Sequence, residues 1–476
     1  MDLILKQLNR KTLAWLSLLF LILAVGLGFF TSRFDLVMVL GLLVTVIIFL
    51  VVYRSPFFGL LAVTFFLPFE RIGSYDISSI TIRASQLVTL ALIIAWLIKG
   101  VVNRDLKFTK NPLLWPSLAF LSVNLMAITN ALNLERSILV LAFTVFTMAF
   151  GYIIPQIITD EKKLRKLISI LLVTTALVCL FGLWQFFGDM IGLPTTLTGL
   201  REHYTKSVFG FPRIQSTALE PLYFANFLLL PLALVYAFLV SRSSSLKLVR
   251  LMPLFILISL NMVLTVSRGG YLGTLVIVLA LSLFYFKKVF RWKFIVPVAI
   301  GLVVVGFLAA WALGFGDIFQ LNLDTFATHV RDAFSGPAYF ERIETFEWAK
   351  QAWLDSPWIG IGPGQYGPYV AAHPFLEPTE GWKIVNNEFI ELLAETGILG
   401  LASFLLILIL LVVRSIKALV RASNSYLKAV MAALLAALFG VIAQYQTFSI
   451  LYIMHVWFLI GLLLAVQNLI LVPRKP

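Results

Sequence analysis

Apolar residues along this chain fall into runs of about 18 or more, divided by polar breaks, and each run is long enough to cross a bilayer as a helix. Reading from break to break gives about fourteen candidate helices. Their approximate limits are 13–30, 35–53, 57–69, 84–102, 113–132, 137–157, 167–187, 217–240, 251–267, 269–286, 293–314, 390–412, 427–446 and 449–471. The third is short, and only Ser267-Arg268-Gly269-Gly270 divides the ninth from the tenth. Each of these two places could be a re-entrant or broken helix in place of a full crossing.

Composition fits this pattern and removes the alternatives. The 476 residues are 60% hydrophobic and 13% charged, whereas soluble domains are about 45–50% apolar and about 25% charged. Disordered, collagenous, coiled-coil and disulfide-scaffold classes fail on the same figures. The expected fold is an all-α polytopic membrane protein with one large outward-facing loop containing interfacial helices. Cys179 is the single cysteine, so an intrachain disulfide and a cysteine-based metal site are both excluded. A net charge of +14 would suggest nucleic acid in a soluble chain. Here it follows more simply from the collection of Lys and Arg in cytoplasmic loops. With fourteen spans and a cytoplasmic N-terminus, roughly two-thirds of the 37 basic residues fall inside, and both termini are cytoplasmic. Lys6, Arg10 and Lys11 precede the first run, which reads as a retained signal anchor.

Residues 315–387 then form a net-acidic outward loop between the eleventh and twelfth spans. The chain divides into 1–314, with eleven spans, this loop, and 388–476, with the last three. Long loops without structure of their own are uncommon and usually functional. Within this one, Ala338–Asp355 predicts a helix, with Phe340, Ile343, Phe346 and Trp353 at helical spacing. Ser356-Pro357 stops it, and its aromatic content suits a membrane interface. The following WIGIGPGQYGPY is a glycine–proline turn region and lacks the lysine of a phosphate-binding loop. A second outward loop, 188–216, carries Arg201, His203, Lys206 and Arg213. The cytoplasmic loops are too short for a nucleotide-binding domain, so any chemistry belongs on the outer side.

Charged groups near membrane depth are default functional candidates. Arg268 stands in the break before two glycines that let backbone approach a ligand, and its guanidinium fork suits phosphate oxygens; alternatively it snorkels at an interface. Arg342 opens the loop helix, where a solvated face is the plainer reading. Glu388, Glu391 and Glu395 share one stripe at the start of the twelfth span and repel unless they meet water or cations. Glu220 precedes Pro221 at the start of the eighth span, beside Arg213, and is a candidate base or a helix cap. His373 is the only histidine in the second half of the large loop, and His455, on an apolar run, reads as a packing residue. The histidines show no metal-ligand spacing.

Several strings together resemble one family. SRGGYLG (267–273), ERIETFEWAKQAW (341–353), SPWIGIGPGQY (356–366) and NNEFIELLAETGILGL (386–401) are similar, in that order, to segments of the O-antigen ligase and O-antigen polymerase (Wzy-type) superfamily. PRIQSTALEPLYFANFLLL (212–230) resembles the segment before that family's central spans. The likeness covers roughly 205–410. It implies an enzyme similar to the C-type glycosyltransferases, acting without metal or cofactor. Such an enzyme moves a glycan from undecaprenyl diphosphate to an acceptor glycan hydroxyl with inversion, at the outer face of a bacterial inner membrane. It implies Arg268 and Arg342 as diphosphate-binding residues, with Arg213, Asn386, Asn387 and His373 as further substrate-binding candidates and a chain-length regulator protein as a candidate partner. Family ligases usually have His-Asn or His-Ser where this chain has Asn386-Asn387. An amide cannot act as a proton acceptor, so Glu395, Glu388 or Glu220 become the candidate catalytic carboxylates, with His373 or a highly dissociative transition state that needs little base help as the alternatives, and the balance moves from ligase to repeat-unit polymerase. A ligase or protein O-glycosyltransferase is the next reading. A transporter or flippase is the alternative from another class, but repeated halves with intramembrane ion sites are not seen in the sequence.

Overall fold

The computed structural model describes residues 49–71, 74–77, 80–104, 111–243, 248–289, 337–372, 382–449 and 451–472. The first and eleventh expected spans, most of the second, the 315–336 part of the large loop and His373 lie outside the described residues. The main helices are α1 (Pro56–Phe66), α2 (Ala84–Val102), α3 (Leu114–Ala127), α4 (Leu134–Ile157), α5 (Glu161–Met190), α6 (Pro221–Ser241), α7 (Leu248–Leu264), α8 (Arg268–Phe284), α9 (Pro337–Asp355), α10 (Tyr366–Ala371), α11 (Glu388–Arg421), α12 (Ser425–Gln444) and α13 (Met454–Leu471). The all-α expectation is corrected at one place. Between α1 and α2, strands β1 (Ser74–Ile77) and β2 (Ile80–Arg83) form an antiparallel hairpin with Ser74 opposite Arg83 and Ile77 opposite Ile80.

Among the described residues, seven helices (α2, α4, α5, α6, α11, α12 and α13) are long and apolar enough to cross a membrane. Helices α7 and α8 have 17 residues each, about 26 Å at the α-helical rise. They are separated only by the turn leading to Ser267, as the short break suggested. Helix α1, with 11 residues, is too short for a crossing. Polar caps fix where several helices begin. Asn133, Asp160, Ser267, Asn387 and Asn424 each accept a backbone N–H of the first turn, an arrangement that contributes about 1 kcal/mol per helix.

Helix α6 is the axis of the bundle. Almost all of it is buried, from Phe224 to Val240, as expected of a helix apolar on every side. Helices α5, α7, α8 and α12 surround it. Small residues bring backbones together where hydrophobicity alone gives no preference between helix and lipid. A β-carbon on Gly273 would lie 2.8 Å from the Gly440 carbonyl, joining α8 to α12, and one on Gly461 would lie 2.5 Å from the Gly151 carbonyl, joining α13 to α4. The outer faces of α2, α3 and α5 leave Leu87, Leu90, Leu125, Val173 and Leu180 exposed, the surface that lipid covers in a membrane.

The connections divide between two ends. At one end Lys99 Nζ donates to the Arg54 carbonyl (3.1 Å), Lys288 Nζ to the Ser241 carbonyl (3.4 Å) and Asn424 Nδ2 to Glu161 Oε2 (2.7 Å). Lys162, Lys163, Arg165, Lys166, Arg242, Lys417, Arg421 and Lys428 belong to this basic end. The opposite end, the loop end, gathers residues 67–71, 190–220, 265–267, 356–372, 382–387 and 445–449. Because Cys179 is the single cysteine and is buried, topology is open to a clean test. Lys350→Cys at the loop end should react with an impermeant thiol reagent in intact cells, and Lys417→Cys should react only after lysis. The reverse pattern would overturn the orientation.

Candidate functional site

The glycine–proline loop is sewn into a broken helix. Helix α11 is interrupted at Gly397 (φ 64°, ψ −168°), a backbone conformation essentially restricted to glycine. The break strands main-chain groups that must find partners within protein, and residues 357–362 supply them. Ile361 N–H donates to the Ala394 carbonyl (3.1 Å) and Gly362 N–H to the Glu395 carbonyl (2.9 Å). In return Ile398 N–H donates to the Pro357 carbonyl (2.9 Å) and Leu399 N–H to the Trp358 carbonyl (3.1 Å). The Glu395 carboxylate extends the seam, accepting from Gly364 N–H (2.7 Å) and Tyr366 N–H (3.0 Å).

The same loop is held from the other side by the α3–α4 connection. Asn130 Nδ2 donates to the Gly360 carbonyl (2.9 Å), Arg136 Nε to the Gly364 carbonyl (2.6 Å) and Ser137 Oγ to the Pro363 carbonyl (2.8 Å). Gln365 and the Asn133 backbone exchange two bonds of 2.8 Å. Arg136 is within electrostatic range of both Glu391 and Glu395 and 5.4 Å from the Trp382 ring. Helix α9 closes the loop through Ala349 and Ala352, which pack with Tyr366, Val370 and Ala394, and Tyr366 Oη donates to the Thr345 carbonyl (2.9 Å).

Next to this seam the 445–447 turn joins three elements. Glu388 N–H donates to the Tyr445 carbonyl (2.9 Å), and Asn387 Nδ2 to Gln446 Oε1 (3.3 Å). On its other side, a β-carbon on Gly269 would lie 2.2 Å from Thr447 Oγ1, so the start of α8, where Arg268 stands, abuts the same turn. Thr345 Oγ1 donates to the Val385 carbonyl (3.4 Å), which places α9 beside the residues leading to Asn386. Arg342 lies one turn before Thr345; its side chain is outside the described residues.

A third group of residues meets this junction from the 190–220 connection. Ile214 N–H donates to the Leu264 carbonyl (3.1 Å) and Arg213 Nη2 to the Val266 carbonyl (3.4 Å). Burial works against the Arg213 charge, while Tyr204, Tyr271 and Glu220 favour it. Thr217 accepts on its carbonyl from both Glu70 N–H (3.2 Å) and Arg71 N–H (3.1 Å). Glu70 is buried, and its pKa is pushed up to about 7. Loss of water is the main cause; Arg83 and the Leu219 N–H oppose it and Glu220 adds to it.

Residues 253–405 match the family model described as O-antigen ligase. Over this segment the chain is similar to the O-antigen ligase family. No curated protein matches the chain. The matched segment runs from within α7, through α8, α9 and α10, to the middle of α11. It therefore contains the seam, the start of α8, helix α9 and the Asn386–Glu388 corner.

Several residues chosen from sequence stand differently in the matched segment than their spacing implied. The stripe of Glu388, Glu391 and Glu395 is not a wet helix face: Glu388 is 3% exposed and Glu395 9%, so Glu388 is no nearer the water. Glu391 Oε2 accepts from Val385 N–H (2.9 Å), and Arg136 is the cation the stripe needs. Asn387 caps α11, while Asn386 has a positive φ of 59°. Upstream of the segment, Glu220 occupies the N-cap position of α6 but makes no side-chain cap bond. Sequence reading passes over Arg136, Asn130, Glu70 and the links of His455, because their partners lie far along the chain and no local spacing marks them. Glu395→Gln should keep one acceptor for the two N–H groups and lose the other. About 2 kcal/mol of stability should go with it, read as a lower melting temperature in detergent; an unchanged melting temperature would contradict the clamp role.

Proposed function

We propose that the chain is a membrane glycosyltransferase that transfers a lipid-diphosphate-linked glycan to an acceptor sugar hydroxyl at its loop end, acting as a polymerase of surface-polysaccharide repeat units. The observation that carries this reading is the meeting, around the 445–447 turn, of the start of α8 with Arg268, the Asn386–Glu388 corner, and α9 with Arg342 beside that corner. The connection bearing Arg213 joins the same group.

In this reading the two guanidinium groups hold the diphosphate. The acceptor oxygen attacks the anomeric carbon from the side opposite the leaving group. As the bond from carbon to diphosphate oxygen breaks, its electron pair passes to the diphosphate, and fixed cations are most effective where that charge grows. Glu395 is committed to the loop seam and is not available as a base. His373 and Asn387 remain acceptor-binding candidates. The ligase reading is favoured by the description of the matching family, and the amide at 386 favours the polymerase. The deciding assay supplies purified protein in lipid nanodiscs with undecaprenyl-diphosphate-linked repeat units. A ladder of products supports the polymerase; a single addition, made only when a lipid A core acceptor is present, supports the ligase; no transfer to any acceptor overturns both.

A further inference from the structure

A chain of buried amides crosses three helices below the loop end, and its order fixes where a proton can sit. Gln444 Nε2 donates to the Leu222 carbonyl (3.4 Å), which turns Gln444 Oε1 toward Asn226. Asn226 Nδ2 donates to that oxygen (2.5 Å), so Asn226 Oδ1 faces His455 Nε2 (2.5 Å). An amide oxygen only accepts, so Nε2 carries the hydrogen, and in the neutral ring Nδ1 holds a lone pair. Nδ1 is 3.8 Å from Glu70 Oε1, with both side chains almost wholly buried. The other carboxylate oxygen, Oε2, accepts from Leu219 N–H (3.3 Å). Glu70 thus has one oxygen held by backbone and the other aimed at a ring nitrogen able to receive a hydrogen bond from it.

This pair is close to the junction around the 445–447 turn. Thr217, which receives the Glu70 N–H, and Ile214, which binds the Leu264 carbonyl just before Arg268, are three positions apart, at most about 11 Å of backbone. The charged and titratable groups facing Glu70 are Arg83, Glu220, Tyr223 and His455, and Arg83 Nε donates to the Glu70 carbonyl (3.0 Å). Position 386 offers only an amide, and Glu395 is clamped.

We propose that Glu70, seated against His455, is the proton acceptor of the transfer reaction. The attacking hydroxyl gives its proton to the Glu70 carboxylate as the oxygen bonds to the anomeric carbon and the diphosphate leaves with the electron pair. Protonated Glu70 then donates a hydrogen bond to His455 Nδ1, which stabilises the acid until it returns the proton to water. Asn226 and Gln444 are positioning residues, holding the ring in the tautomer that leaves Nδ1 open. This assignment rests on the glycosyltransferase reading, so its test has an arm independent of turnover.

The first arm follows carboxyl protonation by infrared difference spectroscopy of the full chain in nanodiscs. A protonated-carboxyl band lost in Glu70→Gln should titrate near pH 7, and His455→Phe should move its frequency by removing the hydrogen-bond acceptor. If Glu70→Gln removes no titrating band between about pH 5 and 9, a range that brackets that midpoint, the pair is not a proton site whatever the enzyme does. The second arm is the pH dependence of kcat. The wild-type rate should fall as pH drops below about 7, because protonated Glu70 cannot accept. Glu70→Gln should lose about 10²- to 10⁴-fold in kcat, flatten that acid limb and keep donor binding. Glu70→Asp, which retains a carboxylate, should keep the limb at a reduced rate and guards against a folding defect in Glu70→Gln. An acid limb unchanged in Glu70→Gln would overturn the assignment, whereas absence of transfer by the wild type would overturn the glycosyltransferase reading and leave the infrared result to decide the pair.

Discussion

Arg268→Ala should reduce glycan transfer by about 10²- to 10³-fold in kcat, the loss typical when one fixed charge-stabilising group is removed from a transition state. The effect should fall mainly on kcat, because charge on the diphosphate grows only as the bond breaks. Arg268→Lys should recover little, since a point charge cannot reproduce the planar fork. Arg268 is well placed for this. It begins a helix whose next two residues, Gly269 and Gly270, are packed against Thr447, Ala225 and Met262, so the backbone beneath the guanidinium is held from three sides. Arg342→Ala should give a loss of the same order, and the double variant should lose less than the product of the two if, as proposed, both arginines act on one group. Full activity in Arg268→Ala, measured with purified protein and lipid-linked donor, would sink the diphosphate assignment.

Gly397→Ala should be the most damaging single methyl in the described structure. Its φ of 64° and ψ of −168° lie where a side chain is strained by about 1–3 kcal/mol, and the added carbon would meet the Trp358 carbonyl carbon at 2.4 Å. Neither wall of that contact is a flexible side chain; both are main chain tied by the seam. Gly360→Ala attacks the seam from the opposite side, with a β-carbon 2.2 Å from the Glu395 carbonyl carbon. Gly192→Ala is the control: its φ is 84°, but no atom lies within 4 Å of the added carbon, so only conformational strain remains. The melting temperature in detergent should fall far more for Gly397→Ala and Gly360→Ala than for Gly192→Ala. Equal shifts in all three would show that the loop is not clamped in the helix break.

The helices are legible in the sequence because lipid imposes them. Backbone polar groups in hydrocarbon must be satisfied within the segment, so a long apolar run has one solution. The expected 84–102 helix appears as Ala84–Val102 and the expected 137–157 helix as Leu134–Ile157. Asn133 shows why the second begins earlier: its side chain accepts from Arg136 N–H (3.0 Å), a capping preference that apolar periodicity does not weigh. The hairpin at 74–83 escapes the pattern because it is a short pair of strands between two strong helical signals. The α11 break escapes it because Thr396-Gly397-Ile398 reads as ordinary apolar helix, and only the approach of residues 357–362 makes a positive φ worth its strain.

The site divides in the same way. Arg268, Arg342, Arg213 and the Asn386–Glu395 segment are marked by sequence, since charge, glycine and amide beside apolar runs are costly in lipid and stand out locally. What those groups do is decided by tertiary contacts. Glu395 has the pattern of a desolvated base, but Gly364 and Tyr366 take both its oxygens; His455 has the pattern of a packing residue, but Asn226 and Glu70 flank its ring. Asn226 and His455 are 229 positions apart. Local pattern reports the cost of placing a polar group near lipid, but only the partner that offsets this cost determines whether the group clamps a loop, carries a charge or holds a proton. That partner comes from another helix, and its position depends on how the whole bundle packs.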